Sequence, residues 1–287
     1  MSYSIMVNGK FYSSRQACLP VEDRGFLFGD GLFETMRTYN GRVFGIERHI
    51  KRLFSSLHAL DYNISFNPGK LTDLIGASIN KNGLQSGQGY VKVIVTRGMH
   101  KGKISFSQTT SPNIIIIAKE LKPYPQDLYR QGARIIRSSI VRPSFSNPAY
   151  RHKLLNYFES TYAKNEAEKK DALEAIFLTR DRMVLEGATS NIFIVKGKRI
   201  YTPPLTYNLL PGITREIVLD ICRQNNMPAR EKKFDFFELM RSDEVFVTNS
   251  LMEVMPVTFI ESSPVSNART GPLTRQLMAL YRNMVSS

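Results

Sequence analysis

Apolar positions along this chain of 287 residues alternate between two rhythms. Residues 4–7 and 10–12 are β-prone runs split by the turn dipeptide Asn8-Gly9, which predicts an opening hairpin. A glycine-rich stretch at 24–31 leads into a second β-prone run at 32–39. Asn40-Gly41 then turns the chain back through Val43 and Phe44, predicting another hairpin. From 46 to 60 the period changes: Ile46, Ile50, Leu53, Leu57 and Leu60 recur every three or four residues, the spacing of an amphipathic helix, and 71–80 predicts a second one.

The runs 90–96 and 114–118 are continuous enough in β-branched residues to be buried strands. The polar, glycine-containing stretch 98–110 between them is expected to be a loop in reach of a ligand. Leu121-Lys122-Pro123-Tyr124-Pro125-Gln126 has two prolines and no period, which marks a linker. Beyond it the pattern predicts a strand at 133–138, a helix at 154–169, strands at 175–179, 191–195 and 199–201, and a helix from Thr214. Mixed strands and helices without a strict repeat give an α+β or mixed α/β class. The expected organisation is a domain over 1–121, a linker over 122–130 and a larger domain over 131–287.

Composition narrows the class. With 42% hydrophobic and 22% charged residues the chain has enough apolar material for a core and too little charge for a disordered one. No apolar run of about 18 residues and no leader-like N-terminus occur, so a cytoplasmic protein without a membrane partner is expected. Cys18 and Cys222 match neither metal-ligand nor redox spacing, and no metal is expected. Lys and Arg exceed Asp and Glu by 39 − 25 = 14 charges, which favours anionic ligands. The cations are scattered, in short clusters such as Arg151-His152-Lys153, with no long basic run. Nucleic acid is therefore not expected as a partner, and a basic anion or nucleic-acid binder stays a distant alternative.

Three segments bear on chemistry. Lys153 stands at the head of the predicted helix with Asn156 and Tyr157 one turn on, and a lysine becomes a nucleophile only in the right company. Glu186 adjoins Gly187 in Val184-Leu185-Glu186-Gly187-Ala188-Thr189-Ser190-Asn191, an acid placed for a tight turn before a strand. Such a carboxylate suits a protonated ring nitrogen, and glycine beside it permits close approach. Leu209-Leu210-Pro211-Gly212-Ile213-Thr214-Arg215 opens a helix on a Pro-Gly turn, where bare N–H groups and the Thr214 hydroxyl suit a phosphate.

Taken together, these segments resemble the class IV aminotransferase family, which groups branched-chain and D-amino acid aminotransferases with 4-amino-4-deoxychorismate lyases. The resemblance also covers Phe28-Gly29-Asp30-Gly31-Leu32-Phe33-Glu34-Thr35, His49-Ile50-Lys51-Arg52-Leu53 and Thr248-Asn249-Ser250-Leu251-Met252-Glu253-Val254-Met255-Pro256, in order and almost end to end. It implies a fold-type IV pyridoxal 5'-phosphate enzyme, with a small N-terminal α/β domain, a larger C-terminal domain with a β-barrel-like core, and the cofactor between them. It implies Lys153 as Schiff-base lysine and proton shuttle, Glu186 at the pyridine nitrogen and Tyr157 at the ring oxygen. Arg52, the Ile213 and Thr214 amides, and Ser250 beside Asn249 would hold the phosphate. Phe28, Phe33, Thr35 and Lys92 would line the substrate side, and the family's homodimers imply that loop 98–110 reaches a neighbour's site.

The resemblance divides on the reaction. Thr96-Arg97-Gly98 is followed by Met99-His100-Lys101-Gly102-Lys103, without the Arg-x-His pair of the D-amino acid enzymes. Residues 209–215 and Asn156-Tyr157 look like the branched-chain enzymes, although those place an arginine near Lys92. Thr35, Val91-Lys92-Val93 and Asn249-Ser250-Leu251-Met252 look like the lyase. The expectation is a branched-chain-type transaminase acting on an amino acid and a 2-oxo acid, with the lyase, releasing pyruvate and 4-aminobenzoate, as the alternative.

Overall fold

The computed structural model describes residues 3–106, 109–145 and 147–286, so Ser107 and Gln108 of the predicted loop lie outside the described residues. The chain divides into two compact units. One comprises Met1–Lys122 with His152–Tyr157, the other Pro123–Arg151 with Phe158–Ser287.

The first unit runs β1 (Ser4–Val7), β2 (Lys10–Ser13), α1 (Arg24–Phe28), β3 (Gly31–Tyr39), β4 (Arg42–Val43), α2 (Ile46–Ala59), α3 (Pro68–Lys81), β5 (Gln88–Thr96) and β6 (Asn113–Glu120). Its strands form one antiparallel sheet in the order β2-β1-β6-β5-β3-β4. Alternation along β3 and β5 sends Leu32, Met36, Val91, Val93 and Val95 to one face, where they pack with Ile50, Leu53 and Leu57 of α2 and Leu71, Ile75 and Ile79 of α3. Phe33, Thr35 and Lys92 point to the other face, Thr35 and Lys92 directly paired in the β3–β5 register. The glycine-rich stretch is partly helical: Asp23 caps α1, and Gly29 ends it at φ +65°.

The second unit runs α4 (Gln126–Gln131), β7 (Ala133–Arg142), α5 (Phe158–Glu168), β8 (Glu174–Thr179), β9 (Val184–Gly187), β10 (Asn191–Lys196), β11 (Arg199–Thr202), α6 (Ile213–Gln224), β12 (Ala229–Glu231), α7 (Phe236–Met240), β13 (Glu244–Asn249), β14 (Glu253–Ile260), β15 (Ser263–Pro264) and α8 (Pro272–Ser286). Its strands follow the order β12-β11-β10-β13-β14-β7-β8-β9, with β15 on β14. The path leaves β10 and ends at β9, yet only residues 188–190 separate those two strands, and the Gly187 amide donates to the Ser190 carbonyl at 2.7 Å. The sheet therefore curls back on itself, which is the barrel-like core expected of this α+β fold.

Two predicted elements differ. The helix expected from 154 begins only at Phe158, because 153–155 are drawn into pairing with β3: Phe33 N–H donates to the Lys153 carbonyl and Leu155 N–H to the Gly31 carbonyl, each at 2.9 Å. Tertiary pairing here overrides a helix-compatible sequence. Gly31 permits it, since a Cβ there would lie 2.4 Å from the Leu155 side chain. The second is the linker stretch, whose latter half is the short helix α4.

Glu244 shows how the second unit secures a long helix. Its buried carboxylate accepts from the Leu273 amide at 3.1 Å and from the Thr274 amide and hydroxyl at 2.7 Å, capping α8 from a neighbouring strand. Glu244→Ala leaves these donors buried without an acceptor. It is expected to lower unfolding free energy by about 2–3 kcal/mol, read from a chemical denaturation midpoint. An unchanged midpoint would show the cap to be dispensable.

Candidate active site

Within the first unit, Lys153 lies on the extended segment against β3, half-buried, with its Nζ 4.5 Å from the centre of the Phe33 ring and 5.3 Å from that of Tyr157. The two rings meet edge to face at 5.2 Å, so the Lys153 amine sits in an aromatic corner. Lys92 places its own Nζ 4.5 Å from the same Phe33 ring, and burial pulls that ammonium below the usual lysine range. Thr35 hydrogen-bonds Tyr90, one pleat along from Lys92. Phe33, Thr35, Lys92, Lys153 and Tyr157 are thus gathered on one face of the sheet. Phe28 stands apart at the end of α1, half-exposed, edge-on to His100 and beneath the Arg24 guanidinium.

Arg52 comes from α2 on the opposite face. Its Nε and Nη2 donate to the two oxygens of Glu34 at 2.7 and 2.6 Å, and His49, one turn earlier, bonds Glu34 through Nδ1 at 2.8 Å. Glu34 is buried, which by itself raises a carboxyl's pKa. The Arg52 guanidinium and His49 overcome that and hold it down at about 2. His49 is pushed below its ordinary range by burial, with Arg52 and Lys153 acting in the same direction against Glu34. A neutral imidazole facing a carboxylate must carry its proton on Nδ1, so His49 is the donor.

In the second unit Glu186 lies inside β9, buried, and the turn follows it at 188–190 instead of holding it. Three N–H donors converge on its carboxylate: Arg142 Nη1 at 2.7 Å, the Leu210 amide at 3.0 Å and Asn191 Nδ2 at 3.4 Å. Arg142 is itself set against the Phe177 ring at 3.8 Å and the Tyr150 ring at 4.5 Å. Ile213 and Thr214, both buried, open α6, a helix of twelve residues whose N-cap Gly212 supplies no side-chain bond. A Cβ at Gly212 would fall 1.8 Å from Asn191 Oδ1, so only glycine lets the helix start close against the residue that braces Glu186. Asn249 shapes the β13–β14 turn that carries Ser250, its Oδ1 accepting from the Leu251 and Met252 amides at 2.9 and 2.8 Å, while its Nδ2 donates to the Thr189 carbonyl at 3.1 Å.

An amino-transferase class IV family model matches residues 31–260. The chain belongs to that family. D-alanine aminotransferase of Bacillus licheniformis is 32% identical over 99% of this chain and 97% of its own length. Aminodeoxychorismate lyase of Bacillus subtilis (strain 168) is 29% identical over 99% of this chain and 95% of its own. The branched-chain aminotransferase of the thermophilic archaeon Thermoproteus uzoniensis, solved with norvaline, superposes with a TM-score of 0.88 at 27% identity, covering 99% of this chain and 95% of that one.

Class IV aminotransferases use pyridoxal 5'-phosphate, and the solved branched-chain enzymes similar to this chain include one with pyridoxamine 5'-phosphate. Each unit by itself holds groups that suit that cofactor. A lysine amine against aromatic rings suits an aldehyde-bearing ring, a buried carboxylate ringed by donors suits a pyridinium, and a helix start without a side-chain cap suits a phosphate. Among the described residues no cluster of His, Cys, Asp and Glu could hold a metal, and no helix is long and apolar enough to cross a membrane.

Sequence reading misses Arg142 as the partner of Glu186, and Glu34 and His49 as the group around Arg52. For Arg142 no local signal exists, since its partner lies 44 residues away. For Glu34 there is one: alternation along β3 places it between Leu32 and Met36 on the apolar face, where a carboxylate needs a cation.

Proposed function

We propose that this chain is a branched-chain-type amino-acid transaminase, moving an amino group between an amino acid and a 2-oxo acid. What supports the reading is the conjunction, in a class IV family member, of a lysine amine set against two aromatic rings with a buried carboxylate fed by three N–H donors. When bound, the cofactor supplies an aldehyde for the lysine amine and an electron-poor ring that takes up the electron pair left when the substrate Cα loses its proton.

The residues then divide the work. Lys153 would hold the cofactor through Nζ, and the same amine would carry the proton taken from the substrate Cα. Glu186 keeps a negative charge at the ring nitrogen, and Arg142 and Asn191 keep Glu186 in place. Tyr157 donates to the ring oxygen. Arg52, the Ile213 and Thr214 amides, and the Ser250 hydroxyl on its Asn249-shaped turn bind the phosphate. Lys92 meets a substrate carboxylate, which relieves the cost of its burial, while Phe33 and Thr35 shape the space for the side chain, and Phe28, which stands apart from them, belongs to the exposed apolar face at α1.

A homodimer belongs to the same reading. Phe26, Leu27, Phe28, Ile104 and Phe106 are 71, 45, 44, 78 and 52% exposed, and the Arg24 guanidinium, which reaches the Ser105 carbonyl, ties the two stretches together. So many exposed apolar side chains fit a surface covered by a second copy. Cytoplasmic residence accords with the free thiols of Cys18 and Cys222.

The lyase is the second reading, favoured by the lyase-like segments at Thr35, Val91-Lys92-Val93 and Asn249-Ser250-Leu251-Met252 and by the similarity to the Bacillus subtilis lyase. The test is product analysis of the cofactor-loaded protein given L-leucine, L-glutamate, D-alanine and aminodeoxychorismate in turn. Keto acid from L-leucine or L-glutamate is the expected result. Pyruvate from aminodeoxychorismate alone selects the lyase, keto acid from D-alanine alone overturns the branched-chain assignment, and no product from any of the four overturns the proposal.

A further inference from the structure

We propose that Glu34 is a positioning residue for the cofactor's phosphate: clamped by His49, it fixes the Arg52 guanidinium in the plane from which that cation engages the phosphate. The inference rests on the reading above that Arg52 is a phosphate ligand, and goes beyond it in assigning roles to two residues that touch no ligand.

The case starts from strand and helix geometry. Alternation along β3 points Glu34 to the face covered by α2, and the three-residue spacing of His49 and Arg52 brings both onto the side of α2 that meets it. A carboxylate in such a place is costly unless fully paired, and this one is paired on both oxygens. The Arg52 contact is a two-point fork, Nε to Oε1 and Nη2 to Oε2. One contact would leave the guanidinium free to rotate about its stem, whereas two define its plane and the direction of the edge that bears Nη1.

His49 gives Glu34 a second anchor on the same helix. As a neutral donor it orients the carboxylate without adding a charge that would compete with Arg52 for it. The side chain of Arg52 is 12% exposed and that of Glu34 is 2% exposed, so the pair is ordered by its surroundings before any ligand arrives. A long arginine would otherwise lose most of its rotamer freedom on meeting a phosphate. Here that ordering belongs to folding.

A structural ion pair would show the same distances, but the two roles separate in what they discriminate. Buried ion pairs often add little net stability, and a purely structural one has no reason to distinguish ligands. A positioning role requires that disturbing Glu34 weaken the binding of pyridoxal 5'-phosphate far more than that of pyridoxal, which has the same ring and aldehyde without the phosphate.

The experiment is titration of cofactor-stripped full-length protein with each compound, followed by the visible absorbance of the lysine-bound form, on wild type, R52M, E34Q and E34D. The readout is the ratio of the two dissociation constants. Wild type is expected to favour the phosphorylated compound strongly, and R52M to lose most of that preference. E34Q is expected to lose at least about tenfold of it with the affinity for pyridoxal nearly unchanged, and E34D, which keeps the charge but falls short of the fork, to lose an intermediate part. A wild-type ratio in E34Q overturns the proposal, as does an equal weakening of both compounds. Should E34Q not fold, E34D decides, and a wild-type ratio there overturns it. A wild-type ratio in R52M instead removes the assignment of Arg52 to the phosphate, a result distinct from the failure of Glu34 alone.

Discussion

Lys153→Ala is expected to leave a folded protein that binds pyridoxal 5'-phosphate without bonding to it and turns over its substrates about ten-thousandfold more slowly, or not at all. The size follows from two losses at one atom. Nζ is proposed both to hold the cofactor and to carry the Cα proton, and removing a group with two chemical roles costs of the order seen when a nucleophile is deleted. Folding should survive, because what anchors this segment is main chain: the Lys153 carbonyl and Leu155 amide bond β3 through Gly31 and Phe33, and none of that needs the lysine side chain. The checks are steady-state turnover and the visible spectrum with cofactor added. Turnover within tenfold of wild type would end the assignment of Lys153.

Glu186→Gln is the second large effect and has a different signature. The amide is nearly isosteric and retains an oxygen to accept from Arg142 or from the Leu210 amide, but the negative charge at the ring nitrogen is gone. The lysine bond to the cofactor should persist, with kcat lower by about a hundred- to a thousandfold. Among the described residues Arg142 then keeps Glu159, at 3.3 Å and half-exposed, as its carboxylate partner, so some loss of thermal stability should accompany the loss of rate. Measuring kcat and the cofactor spectrum on one preparation separates the two. A variant without bound cofactor would show Glu186 to be needed for binding, and wild-type kcat would remove it from the chemistry.

How much of this is legible in the sequence depends on the distance over which each signal acts. The hairpins at Asn8-Gly9 and Asn40-Gly41 and the helix α2 are readable because turn dipeptides and a three-to-four-residue period are local. The start of α5 is misread for the opposite reason: Leu154-Leu155 is as good a helix opening as it is a partner for Leu32, and only the strand 120 residues earlier decides. Glu186 looks like a turn acid because Gly187 and Ser190 beside it are turn formers, whereas the antiparallel pairing of Ile176 with Gly187 across the β8–β9 hairpin keeps it in a strand. The strands β13 and β14 escape prediction, since β13 offers only Val245-Phe246-Val247 before Thr248-Asn249 and β14 carries Pro256 in its interior, which argues against a strand. The roles of Lys153, Glu186 and Thr214 come from resemblance to a family. The partners that hold such residues, Arg142 on Glu186 and Glu34 on Arg52, join side chains 44 and 18 residues apart, a pairing that no local motif marks.

The membership of His152–Tyr157 in the first unit bears on how this chain is made. On the ribosome, β1 to β6 emerge well before these residues, so for the time needed to synthesise about thirty more the edge of β3 at Gly31–Phe33 waits for Lys153–Leu155. During that interval an unpaired strand edge is open to other chains, the condition under which nascent β-proteins cross-pair. An expression fragment ending at Lys122 would keep that exposed edge for good. Isolating this half therefore needs the hexapeptide supplied in trans or joined by a short linker, because a cut after Tyr157 would retain β7 of the second unit without its partners β8 and β14.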